Sequence, residues 1–259
     1  MSYVEGMFNL NGKVAAVLGG SGVLGGAMAI ALGKAGAKVA IVDISTKGAE
    51  RHVKAIEEAD GEGMIFKADA SSKSDLVKAK DAILDRWGKV HILLYAPGVN
   101  SPTPVLEIAE EEWDKIMTVN LKGLFLACQV FGEQMIAQNE GGSIINISSA
   151  SSMLPLSKVF TYSISKHGLN GLTRFLAREW APHRIRVNAI APGFFPAEQN
   201  RRLLTEERKR SIFGHTPMDR YGEPEELAGT VVWLASDQAA SFVTGAVVPV
   251  DGGFTAMTI

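Results

Sequence analysis

The chain has 259 residues, is 46% hydrophobic and 21% charged, and carries a formal net charge of −2. That length allows two small domains or one large α/β domain, and with no Pro/Ser/Gly-rich linker a single domain over residues 1–259 is expected. Acids and bases are mixed along the chain, leaving no basic stripe for phosphate backbones, so nucleic acid is excluded as the expected partner.

Cys128 is the only cysteine, so no intrachain disulfide can form and a reducing compartment is expected. Met1 to Lys13 lacks the basic start and apolar run of a secretory signal. Val14 to Gly33 is uncharged and long enough for a membrane span, but Gly19, Gly20, Gly22, Gly25 and Gly26 crowd its middle, where a bilayer helix would lose most by them. The expectation is a cytoplasmic protein with no membrane partner.

The apolar run Val14–Leu18 reads as a buried strand, followed by a glycine turn and a helix over Ala27–Lys34. Lys38–Asp43 is a second strand that completes a βαβ unit. The alternation then continues with a helix over Gly48–Ala59, a strand over Gly63–Ala68, a helix over Lys73–Trp87 and a strand over Val90–Tyr95. One long helix is predicted for Glu110–Gln138, then a strand over Ser143–Ser148 and a helix over Tyr162–Trp180. A strand over Ile185–Ile190, a helix over Pro224–Ala235 and a last strand over Ala246–Val250 complete the chain. Strands without period-2 polarity are covered on both faces, so the fold class is α/β: a doubly wound, Rossmann-like parallel sheet of about seven strands.

In such sheets the first βα turn is the usual phosphate site. Gly20-Ser21-Gly22-Val23-Leu24-Gly25 fits G-x-G-x-x-G in that context, although close helix–strand packing also selects glycine. Asp43, 18 residues beyond Gly25, ends the second strand, where a carboxylate can accept from both adenosine ribose hydroxyls. The same charge repels a 2′-phosphate, so NAD is preferred and NADP disfavoured. Lys47 or Arg51 could still accommodate NADP, and Asp43 could instead cap the next helix.

Tyr162 and Lys166 stand four apart on a predicted helix, one turn apart on one face. A cation within ~4 to 6 Å favours a phenolate, and bringing a phenol from a pKa of ~10 to neutrality takes ~4 kcal/mol. Such a Tyr could exchange a proton at cellular pH, although the same spacing also arises on solvated helix faces. The five histidines show no ligand spacing, so no metal site is expected, and Cys128 reads as a small core residue.

With these residues in place, the whole chain resembles the short-chain dehydrogenase/reductase family. The shared marks are the Gly19–Gly25 turn, Asp69 in Lys67-Ala68-Asp69-Ala70, Asn120 in Val119-Asn120-Leu121-Lys122-Gly123 and Ser149 in Asn146-Ile147-Ser148-Ser149. Tyr162 with Lys166, Pro192-Gly193 and Val250-Asp251-Gly252-Gly253 complete them. The resemblance implies a catalytic set of Asn120, Ser149, Tyr162 and Lys166. Tyr162 would pass the proton, Lys166 would lower its pKa and hold the nicotinamide ribose, Ser149 would bond the reacting oxygen, and Asn120 would hold a water linking Lys166 to solvent. It also implies cofactor contacts from Gly19, Ser21, Gly22, Val23, Leu24, Asp43, Asp69, Ala70, Ala96, Pro97, Gly98, Tyr162, Lys166, Pro192, Gly193 and Phe195. Ser148, Ser151 and Ser152 are equally polar neighbours, so the preference for Ser149 rests on the family's spacing.

Three positions depart from the family pattern. Leu18 replaces its usual Thr, Val23 its middle glycine, and Tyr95-Ala96-Pro97-Gly98 its Asn-Asn-Ala-Gly, whose amides brace the sheet. The Gly19, Gly22, Gly25 spacing is similar to that of the longer, sugar-nucleotide-modifying branch, whose further substrate region 259 residues do not provide.

A substrate loop is expected at about 193–215. Phe194 and Phe195 can cover an apolar ring face, and the polar residues that follow suit a polyhydroxylated substrate. The expected substrate contacts are Asn100, Ser149, Ser151, Tyr162, Gln199, Asn200 and Arg201, with Arg201 or Arg202 available for a carboxylate. Glu198–Arg210 also reads as the solvated face of a lid helix. Phe194-Phe195, Glu198–Arg201 and His215-Thr216-Pro217-Met218 are similar to bacterial family members assigned as D-mannonate oxidoreductase or fructuronate reductase. The expected function is therefore NAD-dependent hydride transfer on a secondary alcohol or ketone of a sugar acid or polyol. A 3-oxoacyl thioester reductase and a non-catalytic NAD(H) sensor are the alternatives. The family further implies a homotetramer or homodimer pairing through Glu110–Gln138, Tyr162–Trp180 and the C-terminal strand.

Overall fold

The computed structural model describes residues 2–196 and 205–257. Seven strands form one parallel sheet: β1 (Val14–Leu18), β2 (Lys38–Asp43), β3 (Gly63–Lys67), β4 (Ile92–Tyr95), β5 (Gly142–Ile147), β6 (Ile185–Pro192) and β7 (Val247–Val250). Their order is β3-β2-β1-β4-β5-β6-β7, so the winding reverses between β1 and β4 and opens a crevice at their carboxyl ends.

The continuous apolar runs follow from burial on both faces. Val14, Ala16 and Leu18 of β1 face one core with Leu93 and Tyr95, whereas Ala15 and Val17 face the other with Ile92 and Leu94. The first core is closed by α4 (Lys73–Trp87), α6 (Gly123–Gln138) and α7 (Phe160–Trp180). The second is closed by α2 (Val23–Lys34), α3 (Ala49–Glu57) and α9 (Ala228–Ala235). Cys128 is buried in the first, where burial pushes its thiol pKa up. The remaining helices are α1 (Tyr3–Met7), α5 (Glu110–Met117) and α8 (Glu206–Phe213).

Most predicted ends shift by one or two residues, and three elements differ by more than that or in kind. Helix α2 starts at Val23 rather than Ala27, taking Gly25 and Gly26 inside it. Close packing, not turn chemistry, demands those glycines: a Cβ at Gly25 would lie 2.3 Å from the Gly19 carbonyl oxygen, and one at Gly26 2.0 Å from the His52 ring. The predicted helix Glu110–Gln138 is interrupted by a π-helical turn over Thr118–Lys122 between α5 and α6. The helix predicted from Pro224 opens with a 3₁₀ turn over Pro224–Leu227 before α9. Val14–Gly33 is strand, turn and helix, and among the described residues no helix is long and apolar enough to cross a membrane.

Candidate active site

The carboxyl ends of β1, β4, β5 and β6 surround a cleft of about 470 Å³, which continues past Gly19, Gly22, Ala96 and Gly98 into a second cavity of about 550 Å³ beside Asp43. The resulting groove crosses the sheet at its switch point.

At the turn after β1, Gly19 takes φ +76°, and a Cβ there would lie 2.8 Å from the Pro97 nitrogen. Gly22 caps α2 without a side chain and faces the groove with Val23, which is half-exposed. The Ser21 hydroxyl is buried there without a hydrogen-bond partner among the described residues. Asp43 reaches back: Oδ2 accepts from the Ser21 amide at 3.0 Å and Oδ1 from the Ser45 amide at 3.1 Å. It does not cap α3, whose N-cap is Gly48. Lys47, Asp69, Ala70 and Pro97 line the same cavity, and Asp69 Oδ1 accepts from both the amide and the hydroxyl of Ser71.

On the other side of the switch point, Ser149, Tyr162 and Lys166 face one cleft, with Asn100, Ser151, Pro192, Gly193, Phe194 and Phe195 around them. The structure separates Ser149 from its neighbours. Ser148 and Ser152 are bonded to each other and to Asn170, leaving both turned inward. Ser149 Oγ accepts from the Ser151 amide and hydroxyl, and Ser149 lines the cleft with Tyr162. Gly193 packs on Asp251, where a Cβ would fall 2.7 Å from its Cα, so the two late motifs meet at the paired ends of β6 and β7.

Lys166 is 2% exposed, and its ammonium donates to the Ile147 carbonyl at 2.7 Å, with Nζ 5.5 Å from the Tyr162 ring centroid. Burial lowers its pKa to about 8. Burial raises the Tyr162 pKa above its ordinary value, opposed by the neighbouring Ser149 hydroxyl. The expected lysine-driven depression of Tyr162 is therefore corrected here. The ammonium is directed to a backbone oxygen, and loss of water around the phenol outweighs its influence.

Asn120 lies in the π turn. Its Oδ1 accepts from the Val99 amide at 2.8 Å, and its Nδ2 donates to the Val99 carbonyl at 2.9 Å and Ser165 Oγ at 3.0 Å. Ser165 in turn donates to the Tyr162 carbonyl, tying the π turn to the first turn of α7. A Cβ at Gly98 would lie 3.6 Å from Lys166 Nζ and 3.8 Å from Asn120 Oδ1, so the carboxamide and the ammonium border the same point.

Tyr95 explains how this turn is held. Gly123 N–H donates to the Thr118 carbonyl, five residues back instead of four, and the Val119 carbonyl accepts from the Tyr95 hydroxyl at 2.6 Å. An inserted side chain is a recognised cause of such interruptions. The phenol thus ties the end of β4 to the π turn, a brace different from the sheet-bracing amides of the family pattern. Tyr95→Phe, which leaves a carbonyl without its phenol partner, is expected to cost about 1–3 kcal/mol in urea denaturation. It should also lower kcat with little change in KM, because Asn120 loses its register.

Residues that sequence reasoning missed include Leu156, Val159 and Arg208, all lining the cleft. Gln199, Asn200, Arg201 and Arg202 lie outside the described residues. No group of three or more potential metal ligands occurs among the described residues.

Residues 21–255 match the family described as enoyl-(acyl carrier protein) reductase. The uncharacterized oxidoreductase UxuB of Bacillus subtilis (strain 168) is 39% identical over 269 residues, covering 96% of each chain. The chain belongs to the short-chain dehydrogenase/reductase family. As a family member it is an oxidoreductase of the dehydrogenase/reductase kind. Two solved structures extend the likeness to the whole fold of this short-chain dehydrogenase/reductase. A gluconate 5-dehydrogenase from Burkholderia cenocepacia J2315, in complex with NADP and tartrate, superposes with a TM-score of 0.92 at 30% identity, covering 99% of this chain and 100% of that one. A structure named provisionally as a D-mannonate oxidoreductase from Haemophilus influenza, with bound NAD, gives a TM-score of 0.91 at 30% identity, covering 98% of this chain and 99% of that one.

Proposed function

We propose that the protein is a cytoplasmic, single-domain NAD-dependent oxidoreductase that interconverts a secondary alcohol and a ketone on a sugar acid or polyol. The observation that carries this reading is the convergence of Tyr162, Ser149 and Lys166 on one cleft continuous with the groove beside Asp43. The groove fits a dinucleotide by its own features. Gly22 lets backbone approach closely, the N-terminus of α2 offers amides and partial positive charge, and the unpartnered Ser21 hydroxyl sits among them. Two relatives of known structure hold NADP and NAD respectively, one of them a gluconate dehydrogenase.

A bound nicotinamide would supply or take up the hydride. The chain's own residues would do the rest. Tyr162 gives the proton to, or takes it from, the substrate oxygen, and the Ser149 hydroxyl supports that oxygen as charge develops. Lys166 supplies a buried positive charge beneath the ring, with Asn120 bordering the same point. Gly19, Ser21, Gly22, Val23 and Leu24 would cradle the diphosphate, and Asp69, Ala70, Ala96, Pro97 and Gly98 would line the adenosine and ribose path. Pro192, Gly193 and Phe195 would border the nicotinamide, and Asn100 and Ser151 would serve the substrate.

Asp43 is the reason for preferring NAD, since its carboxylate would meet a 2′-phosphate as a like charge. Lys47 lines the same cavity and is ready to pair with that phosphate once the acid is gone. Asp43→Ala is thus expected to shift the NADP-to-NAD ratio of kcat/KM by about tenfold or more toward NADP. An unchanged ratio would assign the choice to another group.

The reading is tested by following NADH oxidation against keto-uronates, neutral ketoses and acetoacetyl thioesters. Turnover of the first two supports it. Turnover of thioesters alone would make the protein an acyl thioester reductase, and tight NADH binding with no turnover would make it a sensor. A homodimer or homotetramer is part of the proposal, supported by Phe175, 72% exposed on α7, and Phe125, 44% exposed on α6. Light scattering would check it.

A further inference from the structure

The described lining of the cleft contains two cationic side chains, Lys166 and Arg208, and no Asp or Glu. Lys166 is committed to the Ile147 carbonyl. Arg208 is not committed in that way. It reaches the cleft from the first turn of α8, where its guanidinium donates to Ser157 Oγ at 2.9 Å and pairs with no carboxylate among the described residues.

Its neighbours are arranged differently. Lys209 pairs with Glu206 and Arg220 with Glu226. Arg208 also sits where a cation is least favoured, in the first turn of a helix at the positive end of its dipole. Thr205 Oγ1 accepts from the Arg208 amide at 3.2 Å and fixes that turn, so the side chain leaves α8 from a held backbone. A guanidinium carries five donors in a planar fork, of which Ser157 takes one. The remainder suit a carboxylate, which would bring to the cleft the negative charge its described lining lacks.

We infer that Arg208, positioned by Ser157, is the carboxylate-binding residue of the substrate cleft, and that the substrate is a hydroxy or keto acid rather than a neutral polyol. This rests on the proposed hydride-transfer function, and it places the acid recognition on α8 instead of on Arg201 or Arg202. The substrate lies with its carbinol carbon at Tyr162 and Ser149 and its carboxylate toward α8. Leu156 and Val159 add apolar surface to the same cleft.

The test compares wild type with Arg208→Met and Arg208→Lys on a keto-uronate and on a neutral ketose, with NADH. The expected result is a 10- to 100-fold fall in kcat/KM for the acid in Arg208→Met, mostly in KM, by about the strength of a charged hydrogen bond. Activity on the neutral ketose should fall far less than activity on the acid, and Arg208→Lys should recover part of the loss. An equal fall on both substrates, no fall on the acid, or a wild type active only on neutral ketoses would overturn the assignment while leaving the reaction class standing. Calorimetric titration of NADH-loaded protein with D-gluconate and with sorbitol reads the same site without turnover. Gluconate binding that weakens in Arg208→Met supports the inference even where the hydride-transfer reading fails, and binding indifferent to the substitution sinks it.

Discussion

Tyr162→Phe should remove between two and four orders of magnitude from kcat, the span expected when a positioned acid/base group is deleted, while NADH binds with nearly unchanged affinity. The change takes away one oxygen and leaves the ring in place. The ring's contact with Lys166 and the Asn120–Ser165–Tyr162 backbone link therefore persist. Because the Ser149 hydroxyl still points into the cleft, residual turnover should reflect stabilisation of the substrate oxygen without proton delivery. Stopped-flow NADH oxidation and fluorescence titration of NADH separate the two effects. A variant keeping a tenth of wild-type kcat would remove Tyr162 as the proton donor.

Lys166 carries the second large effect, which has a sign that depends on what is measured. Burial takes its pKa from an ordinary 10.5 to about 8. Between those values the unfolded chain binds the additional proton, so this group makes folding more favourable as pH rises through that window. Catalysis runs the other way. Deprotonation removes the charge beneath the Tyr162 ring, so kcat/KM for carbonyl reduction should fall above about pH 8. Lys166→Arg retains charge at high pH and should carry the falling limb beyond pH 10 at a lower maximum rate. Lys166→Met should lose at least about a hundredfold below about pH 8, on the scale of a lost acid/base component, with the gap to wild type narrowing above it. A wild-type profile flat to pH 10 would show that this ammonium is dispensable to the chemistry.

Much of this architecture is legible in the residues. Seven apolar runs become seven strands because both faces of the sheet are covered, and apolarity without alternation is what such burial requires. The Gly19–Gly25 turn, Asp43 and the Tyr162–Lys166 pair fall at one edge of the sheet because each ends or follows a strand whose carboxyl end lies there. What periodicity cannot express is a change of hydrogen-bond register inside one helix. The pattern of Glu110–Gln138 is helical throughout, and the π turn is set by Tyr95, a side chain more than twenty residues away. Nor can local pattern separate Ser149 from Ser148, since the difference is made by Asn170 on α7. Arg208 is followed directly by Lys209 and Arg210, and nothing in the local pattern marks which of the three bases turns to the cleft.

Tyr95 and Gly123 also constrain one another. The phenol oxygen sits 2.5 Å from where a Cβ on Gly123 would be, and Tyr95 is 0% exposed. Any larger residue at 123 collides with the phenol oxygen and comes within 2.9 Å of the Ala70 carbonyl oxygen, and a short amide at 95 opens a void that the glycine cannot fill. A change at 95 is therefore felt at 123, where the Ala70 backbone also limits what can fill the space. Engineering that exchanges residues 95–98 for those of another enzyme would have to carry the helix position with it, or lose the geometry of proton transfer through a site that touches neither reactant.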